Sequence, residues 1–217
     1  PSLRCAVIFA HGEHFTAGLD LVELQPKLTA GVFDFPASQI NPWGTSSRPR
    51  TKPVVVAVQG FCFTAGIELM LNADVVIADA NTQFAQMEVQ RGILPFGGAT
   101  VRFVQAAGWN KAMRYLLTGD SFNAQVALDL NLITEVVETS TPNAALERAL
   151  SLAESIAQAA PLAVQATLAS AQQAVQHGAE YAFAHLQEHL SPLLKTQDVQ
   201  EGVMAMLQRR PAQFKGQ

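Results

Sequence analysis

The fold is decided by the stretch Phe63-Thr-Ala-Gly-Ile-Glu-Leu69, which follows the β-branched run Val54-Val-Val-Ala-Val58. The run predicts a buried strand, and the small residues after it predict a tight turn that opens a helix. The first backbone N–H groups of a helix have no carbonyl partner within it, and the positive end of the helix dipole lies behind them. The N–H groups near Ala65 and Gly66 are therefore suited to stabilising a carbonyl oxygen that gains negative charge.

The same stretch occurs earlier in the chain. Residues 7–21 align with residues 55–69 at a constant offset of 48, and Phe-Thr-Ala-Gly is identical in both copies. A period near 50 residues is typical of stacked strand–loop–helix repeats. Stacked turns would present equivalent N–H groups from Ala17 and Ala65, which predicts a two-donor oxyanion hole. The alternative is a structural repeat whose small residues only permit tight packing, but the shared loop chemistry favours the functional interpretation.

Composition places the chain among globular proteins, since 49% of its 217 residues are hydrophobic and 15% are charged. The net charge of −4 offers no basic surface for nucleic acid. No apolar run approaches the roughly 20 residues that a membrane span needs. The two cysteines have neither disulfide nor metal-ligand spacing, which favours a reducing, cytoplasmic location. Because the chain starts at Pro1 and soon enters an apolar strand, we expect the natural protein to extend upstream.

Two regions differ in their pattern. Residues 1–138 combine short apolar strands with helices and predict an α/β core that holds the active site. Residues 139–217 are rich in Ala and Gln with apolar residues at helical spacing, which predicts a helical region suited to packing on a neighbour. Residues 26–53 contain five prolines and are predicted to be irregular, as is typical of a lid or a binding loop.

The sequence also predicts element bounds. The predicted strands are 5–10, 54–58, 74–78, 82–86 and 132–137. One predicted helix ends before Pro26, and another follows segment 92–98 and reaches residue 107. The other predicted helices are 65–72, 109–117, 123–130, 143–159, 161–177, 179–195 and 198–209. Ser121 or Asp120 is the predicted N-cap of helix 123–130.

Two carboxylates are candidates for acid–base chemistry. Glu68 falls in the first turn of the helix beside the predicted oxyanion hole, and Glu88 follows an extended segment. Carboxylates that converge on an apolar cavity can divide the work, one ionised as base and the other protonated as acid. Taken singly, Glu68 could complement the helix dipole, as Asp20 can in the first copy, and Glu88 could be a surface or capping carboxylate. Their position around one oxyanion hole favours catalysis.

Other chemistries fit poorly. The glycine-rich segment 92–98 matches neither dinucleotide nor P-loop spacing, so we expect no nucleotide cofactor. No G-x-S-x-G elbow is present for a nucleophilic serine. His185 and His189 share a helix face without an H-E-x-x-H pattern, and we assign no metal.

Nearly the entire chain resembles the crotonase, or enoyl-CoA hydratase/isomerase, superfamily. The segments that carry the resemblance are His14–Asp20, Lys52–Leu69, Asn72–Ala78, Gln83–Pro95 and Glu201–Gly216. The resemblance implies a crotonase-like spiral of stacked ββα units, a C-terminal helical part that drives trimerisation, and a homotrimer or a dimer of trimers. It also implies acyl-CoA substrates of the kind met in fatty acid metabolism, with no cofactor besides the coenzyme A of the substrate itself.

Several site residues follow from the resemblance. Ala17 and Ala65 match the two oxyanion-hole donors, and Glu68 and Glu88 match the two catalytic glutamates of the hydratases. Substrate-binding roles are implied for Gly66 behind the oxyanion hole, for Asp20 and for Lys215, which lies in the tail that reaches a neighbouring subunit's CoA site in relatives. The sequence departs from the family in two respects: Thr64 and Ala65 replace glycines of an all-glycine run, and the family's opening strand and first helix are absent.

The leading hypothesis is an enoyl-CoA hydratase, in which Glu68 deprotonates water for attack at C3 and Glu88 protonates C2. Both glutamates are present, whereas relatives that isomerise double bonds generally keep only the Glu88-type residue. An isomerase, hydrolase or lyase using the same enolate chemistry is the first alternative. A non-catalytic acyl-CoA-binding scaffold is the second, and the intact pair of glutamates counts against it.

Overall fold

Valine-rich strands form the centre of the fold in the computed structural model, which describes residues 2–31, 35–46 and 48–217. In chain order the elements are β1 (Ala6–Ile8), α1 (Leu21–Thr29), β2 (Val54–Val58), β3 (Phe61–Phe63), α2 (Ala65–Met70), β4 (Val75–Asp79), β5 (Gln83–Ala85), a 3-10 helix (Glu88–Arg91), α3 (Ala99–Ala107), α4 (Trp109–Leu116), β6 (Ser121–Asn123), α5 (Ala124–Asp129), β7 (Glu135–Val137), α6 (Ala144–Gln158), α7 (Pro161–His177), α8 (Ala179–Leu193) and α9 (Gln197–Gln208).

The strands form two sheets. One has the order β1-β2-β4-β7, in which β2 pairs with β4 and β4 with β7 in parallel. The other has the order β3-β5-β6, with β3 and β5 parallel and β5 and β6 antiparallel. The chain thus passes from a strand of the first sheet to a strand of the second twice, once before α2 and once before the 3-10 helix. As a result, the second copy of the loop follows β3 and Glu88 follows β5, and these two strands are neighbours in the second sheet.

The described chain divides into two compact units. The core unit comprises residues 7–50 and 54–150, and the helical unit comprises the residues up to 6, residues 51–53 and residues 151–217. On the C-terminal side the division falls within α6. These units are defined by contacts within the chain and do not test the predicted domain boundary between residues 138 and 139, which stays a prediction.

Apolar side chains from both sheets and four helices fill the core unit. The fully buried side chains include Phe84, Phe103, Ile67, Met70 and Ile77. Phe84 of β5 stacks on Phe122 of β6 with a centroid distance of 5.6 Å. The core anchors β2, β3, β5 and α2, the elements that carry the candidate site, at one rigid centre.

In the helical unit, α7 packs against α8, and the C-terminal segment returns to α9. The buried carboxylate of Asp198 accepts hydrogen bonds from the backbone N–H groups of Lys215 (2.7 Å) and Gly216 (2.8 Å). Arg210 forms a two-pronged ion pair with Glu201. None of the helices in the described ranges is long and apolar enough to cross a membrane.

Most predicted elements are present, and the differences have physical causes. β2 and α7 have the predicted bounds. The prediction that the first helix ends before Pro26 is wrong, because α1 continues to Thr29. A proline there removes the hydrogen bond to the Val22 carbonyl, but Val22 is 85% exposed, so water can solvate that carbonyl.

The predicted N-cap of α5 is also wrong. Asn123 is the cap, and its side chain accepts a hydrogen bond from the N–H of Val126. Ser121 belongs instead to β6, which the prediction missed together with β3, because each of these two strands has only three residues and is not part of a longer strand-like run. Within the predicted irregular stretch 26–53, residues 32–34 and 47 lie outside the described chain, as does Pro1.

Candidate active site

The two copies of the Phe-Thr-Ala-Gly loop lie side by side in the core unit. The N–H of Thr16 donates to the carbonyl of Phe61 at 2.9 Å, and the N–H of Phe63 donates to the carbonyl of Thr16 at 3.0 Å. Thr16 thereby forms a parallel bridge with Cys62. The first loop runs along β3, so Ala17 follows the bridge directly and Ala65 lies three residues beyond it in the second copy.

Each loop fills a gap that a glycine leaves in the other. A Cβ atom added at Gly18 would lie 2.1 Å from the hydroxyl oxygen of Thr64, and one added at Gly66 would lie 2.5 Å from the Cγ2 of Thr16. Both distances are shorter than any van der Waals contact, so no side chain fits at either glycine without movement. The threonine of one copy therefore packs against the glycine of the other, and this crossed packing fixes the spacing of the two loops.

Thr64 has a backbone conformation that favours glycine. Its φ is 50° and its ψ is −112°, a combination that costs a residue with a Cβ atom about 1–3 kcal/mol. Its N–H donates to the carbonyl of Ala85 at 2.9 Å, which holds the turn against β5. The peptide group after Thr64 carries the N–H of Ala65, so this unusual ψ sets the direction in which that N–H points.

A cavity of about 320 Å³ contains both predicted oxyanion-hole residues and both predicted catalytic glutamates. Its lining residues are Ala17, Leu19, Asp20, Leu21, Val22, Thr64, Ala65, Glu68, Met87, Glu88, Arg91, Ile93 and Phe96. The lining is mainly apolar, with a few carboxylates, as expected for a pocket that binds an organic ligand.

Glu68 is buried and held by the N-terminus of α3. The residue is 3% exposed, and its Oε1 accepts a hydrogen bond from the N–H of Ala99 at 3.1 Å. Burial raises the pKa of Glu68, while the amides of residues 97–99 and the guanidinium of Arg102 oppose the rise. The donors hold the carboxylate in a fixed orientation and favour its ionised form.

Glu88 has a different environment. It follows β5 in the 3-10 helix and is 7% exposed. Its Oε1 accepts a hydrogen bond from the side-chain amide of Gln86 at 2.8 Å, but its Oε2 has no partner among the described residues. Burial, assisted by the negative charge of Glu68, raises the pKa of Glu88 from 4.5 to about 7. A proton on this carboxyl is thus stable near neutral pH, which suits a general acid.

The remaining predicted site residues have separate positions. Asp20 lines the cavity, and its Oδ1 also accepts hydrogen bonds from the N–H groups of Val22 and Glu23, which makes it the N-cap of α1. Gly66 is buried and packs against Thr16. Lys215 is exposed in the helical unit. Roles in substrate binding for these three residues stay predictions.

A second cavity adjoins Glu68 and contains residues that the sequence analysis did not single out. It has a volume of about 340 Å³ and is lined by Leu19, Gly31, Phe35, Asn41, Trp43, Thr45, Glu68, Phe96 and Gly97. A Cβ added at Gly97 would lie 2.5 Å from Glu68 Oε2, so any larger residue at position 97 would displace the Glu68 side chain. Most of this lining comes from the segment predicted to be irregular, where no periodic pattern marks individual residues. Within that segment, the residue types of Asn41 and Trp43 are the only local indication of a pocket.

The geometry defines a class of protein. Residues of two backbone loops, Ala17 and Ala65, line a cavity in which one carboxyl is held by amide donors and the other favours its protonated form. This combination suits an enzyme that stabilises an enolate or another oxyanion while moving protons beside it. No group of three or more His, Cys, Asp and Glu side chains in the described ranges could hold a metal ion.

Comparison with known proteins identifies the family. The family model for enoyl-CoA hydratase/isomerase matches residues 1–217, and the chain belongs to this family. It is 34% identical to 2,3-dehydroadipyl-CoA hydratase of Escherichia coli (strain K12), an alignment that covers 99% of this chain and 82% of the relative.

Solved structures agree with this assignment. A probable enoyl-CoA hydratase/isomerase from Mycobacterium abscessus superposes with a TM-score of 0.94 at 44% identity, covering 99% of this chain and 82% of the other. The enoyl-CoA hydratase from Mycobacterium tuberculosis H37Rv superposes with a TM-score of 0.82 at 32% identity, covering 99% and 81%. The predicted α/β fold and the predicted crotonase superfamily are therefore confirmed.

Proposed function

We propose that this protein is an enoyl-CoA hydratase, which adds water across the C2=C3 double bond of a 2-enoyl-CoA. The observation that carries the proposal is the joint presence of Glu68 and Glu88 in one cavity with Ala17 and Ala65. The names of relatives add support, since 2,3-dehydroadipyl-CoA hydratase and enoyl-CoA hydratase are among them.

In the proposed reaction the thioester oxygen accepts hydrogen bonds from the N–H groups of Ala17 and Ala65. Glu68 removes a proton from a water molecule, whose oxygen forms the bond to C3. The π electrons of the C2=C3 bond move towards the carbonyl, and the resulting enolate takes a proton at C2 from Glu88. A proton then passes from Glu68 to Glu88, which restores both groups with no net change in the enzyme.

The assignment of base and acid rests on the two environments. Glu68 accepts from the N-terminus of α3, and those donors favour a carboxylate. Glu88 has one oxygen without a partner among the described residues, and its pKa of about 7 leaves a proton available. A general base and a general acid each typically contribute about 10²–10⁴-fold.

The backbone amides supply the electrostatic part. Removing one donor from an enzyme's oxyanion hole typically costs about 3–4 kcal/mol of transition-state stabilisation. The backbone restrains each donor: Ala17 follows the β-bridge of Thr16 with Cys62, and Ala65 follows the turn at Thr64. Such preorganised donors need little reorganisation when charge develops on the oxygen.

Further parts of the proposal concern assembly and ligands. We propose that Asp20, Gly66 and Lys215 contact the substrate, that coenzyme A enters only as part of that substrate, and that the enzyme is a cytoplasmic homotrimer or dimer of trimers with a spiral of ββα units. Exposed apolar side chains in the helical unit support assembly: Val175, Phe183, Leu194, Met206 and Leu207 are each more than 60% exposed in the single chain.

The test is a set of assays on purified protein with crotonyl-CoA and longer 2-enoyl-CoA esters. We expect loss of the enoyl-thioester absorbance, and in D2O one deuterium at C2 and one hydroxyl at C3 of the product. Migration of the double bond without incorporation of water would indicate an isomerase instead. Release of free coenzyme A would indicate a hydrolase. Tight binding of the esters without any turnover would support a scaffold.

A further inference from the structure

Trp43 lies in the irregular segment after α1 and forms a hydrogen bond to the proposed oxyanion hole. Its indole Nε1–H donates to the carbonyl oxygen of Ala65 at 2.9 Å. Ala65 is the first residue of α2 and the second proposed donor to the thioester oxygen. The indole therefore restrains the peptide group on one side of Ala65, while the donating N–H belongs to the peptide group on the other side.

Segment 41–44 that carries this indole is itself fixed at several points. The side-chain oxygen of the buried Asn41 accepts from the N–H of Trp43 at 2.8 Å. Arg102 of α3 donates to the carbonyl of Trp43 at 2.7 Å, and Asn72 donates to the carbonyl of Pro42 at 2.9 Å. An irregular backbone with this many hydrogen bonds holds its side chain in one orientation. The indole N–H is thus aimed at Ala65 by Asn41 of the segment itself and by groups on two other parts of the core unit, Arg102 and Asn72.

The ring of Trp43 has a second contact surface. Together with Phe35 and Phe96 it lines the cavity of about 340 Å³ that adjoins Glu68. Phe35 meets Trp43 edge to face, with ring centroids 5.8 Å apart. Since Glu68 also lines the cavity that contains Ala17 and Ala65, the aromatic cavity begins where the proposed reaction at C3 takes place. Flat aromatic walls suit an acyl group that is itself flat or conjugated.

We propose that Trp43 is a positioning and specificity-determining residue: its N–H holds Ala65 in the orientation that polarises the thioester, and its ring forms the wall against which the acyl group packs. The proposal rests on the proposed function, because it takes Ala65 as an oxyanion donor. It goes beyond that function in linking the acyl cavity and the oxyanion hole through one side chain.

The decisive variant is Trp43→Phe, which keeps an aromatic wall and removes the N–H. The chain offers a matched control in Trp109→Phe, since Trp109 is the second of its two tryptophans, lies on α4 and is 68% exposed. The probe is the CoA thioester of a para-amino-substituted cinnamic acid, whose absorption moves to longer wavelength when its carbonyl is polarised. This shift is read without turnover, so a merely structural role for Trp43 would leave it unchanged.

We expect wild type and Trp109→Phe to shift the probe's absorption to the red by the same amount, and Trp43→Phe to shift it less. The loss of one neutral hydrogen bond predicts a fall in kcat on crotonyl-CoA of about three- to tenfold. The dissociation constant of the probe should stay close to that of wild type, because the ring remains. In Trp43→Ala we expect weaker binding of the aromatic probe relative to crotonyl-CoA, because the wall is lost.

Equal red shifts and equal kcat values in Trp43→Phe and Trp109→Phe would overturn the positioning role. Unchanged selectivity in Trp43→Ala would overturn the specificity role. Calorimetry establishes whether each variant is folded. If the alanine variant is not, Trp43→Leu, which also removes the aromatic wall but leaves less empty space, replaces it in the selectivity test. If wild type hydrates no 2-enoyl-CoA, the proposed function fails, whereas a red shift that depends on the indole N–H would still support the positioning role. No red shift with wild type would contradict it.

Discussion

The two copies of the Phe-Thr-Ala-Gly loop share a sequence but place their acidic residues in different environments. Asp20 lies near the end of the first copy and is exposed, and its side chain caps α1. Glu68 stands at the same place in the second copy and is 3% exposed, with its carboxylate on the N-terminus of α3. The same loop thus yields a helix cap in one copy and a candidate catalytic base in the other. The surrounding elements, rather than the loop sequence, decide which chemistry its carboxylate can perform.

The two loops also differ in backbone conformation although they share the sequence Phe-Thr-Ala-Gly. Thr64 has a positive φ, whereas in the first copy it is Gly18 that does. The crossed packing of Thr16 on Gly66 and of Thr64 on Gly18 is nevertheless reciprocal. The two copies therefore have the same threonine–glycine packing, but only the second copy has a threonine with a positive φ.

The largest predicted effect separates the two acids. Glu68→Gln removes the proposed base while keeping the shape of the side chain, so we expect kcat to fall by about 10²–10⁴-fold. Asp20→Ala removes a helix cap, so we expect a loss of about 1 kcal/mol in the free energy of unfolding and a kcat far above that of Glu68→Gln. Steady-state assays and urea unfolding measure both. Equal losses of kcat in the two variants would contradict the assignment of Glu68 as a base and Asp20 as a helix cap.

The next effect tests the crossed packing. Gly66→Ala brings a Cβ against Thr16 Cγ2, and overpacking of this kind costs about 1–3 kcal/mol of stability. Thr16→Ser removes Cγ2, so the double variant should recover most of that loss. Gly18→Ala should not be rescued in the same way by Thr64→Ala, because the φ of Gly18 is +109° and any Cβ is strained there. Chemical unfolding of the four single and two double variants measures the pattern; symmetric rescue would contradict it.

A pH profile tests the division of labour between the glutamates. Because burial raises the pKa of Glu88 to about 7, we expect kcat/KM to fall as the pH rises above about 7 and this acid loses its proton. The acidic limb should lie above 4.5, the ordinary value, because the pKa of Glu68 is raised. Glu88→Gln should lower the rate and also abolish the alkaline limb. An alkaline limb that persists in Glu88→Gln would assign it to another group.

The smallest predicted effect concerns stability. A carboxyl whose folded pKa lies above its unfolded value stabilises the fold at low pH, and this stability is lost as the pH rises from 4.5 through about 7. Glu88→Gln has no charge to lose, so its melting temperature relative to wild type should increase across that window. We expect a gain on the order of 1 kcal/mol, or about 2–4 °C. Thermal unfolding at a series of pH values measures it, and a gain that is independent of pH would exclude the buried carboxylate as its source.

The repeat made much of the site predictable from the sequence. Identical loops at a fixed offset imply neighbouring turns, and Ala17, Ala65, Glu68 and Glu88 do line one cavity. The catalytic roles of these residues stay predictions. β2 could be predicted because five apolar residues in a row have few alternatives to a buried strand.

Other features depend on partners that are distant in sequence. The spacing of segment 92–98 does not predict a phosphate-binding loop, but the amides of Gly97 and Gly98 at its end, together with that of Ala99, hold the carboxylate of Glu68. Trp43 gave no pattern of its own, because its importance comes from Asn41, Ala65 and Arg102, which tertiary structure alone brings to it. The course of α1 through Pro26 likewise depends on exposure to water, which local sequence does not report.

The most direct test of the central claim is a crystal structure of Glu68→Gln with a bound 2-enoyl-CoA. We predict the thioester oxygen about 2.7–3.1 Å from the backbone nitrogens of Ala17 and Ala65, with residue 68 facing C3 and Glu88 facing C2. A thioester oxygen that contacts neither amide, or an acyl chain bound away from both acidic positions, would contradict the account.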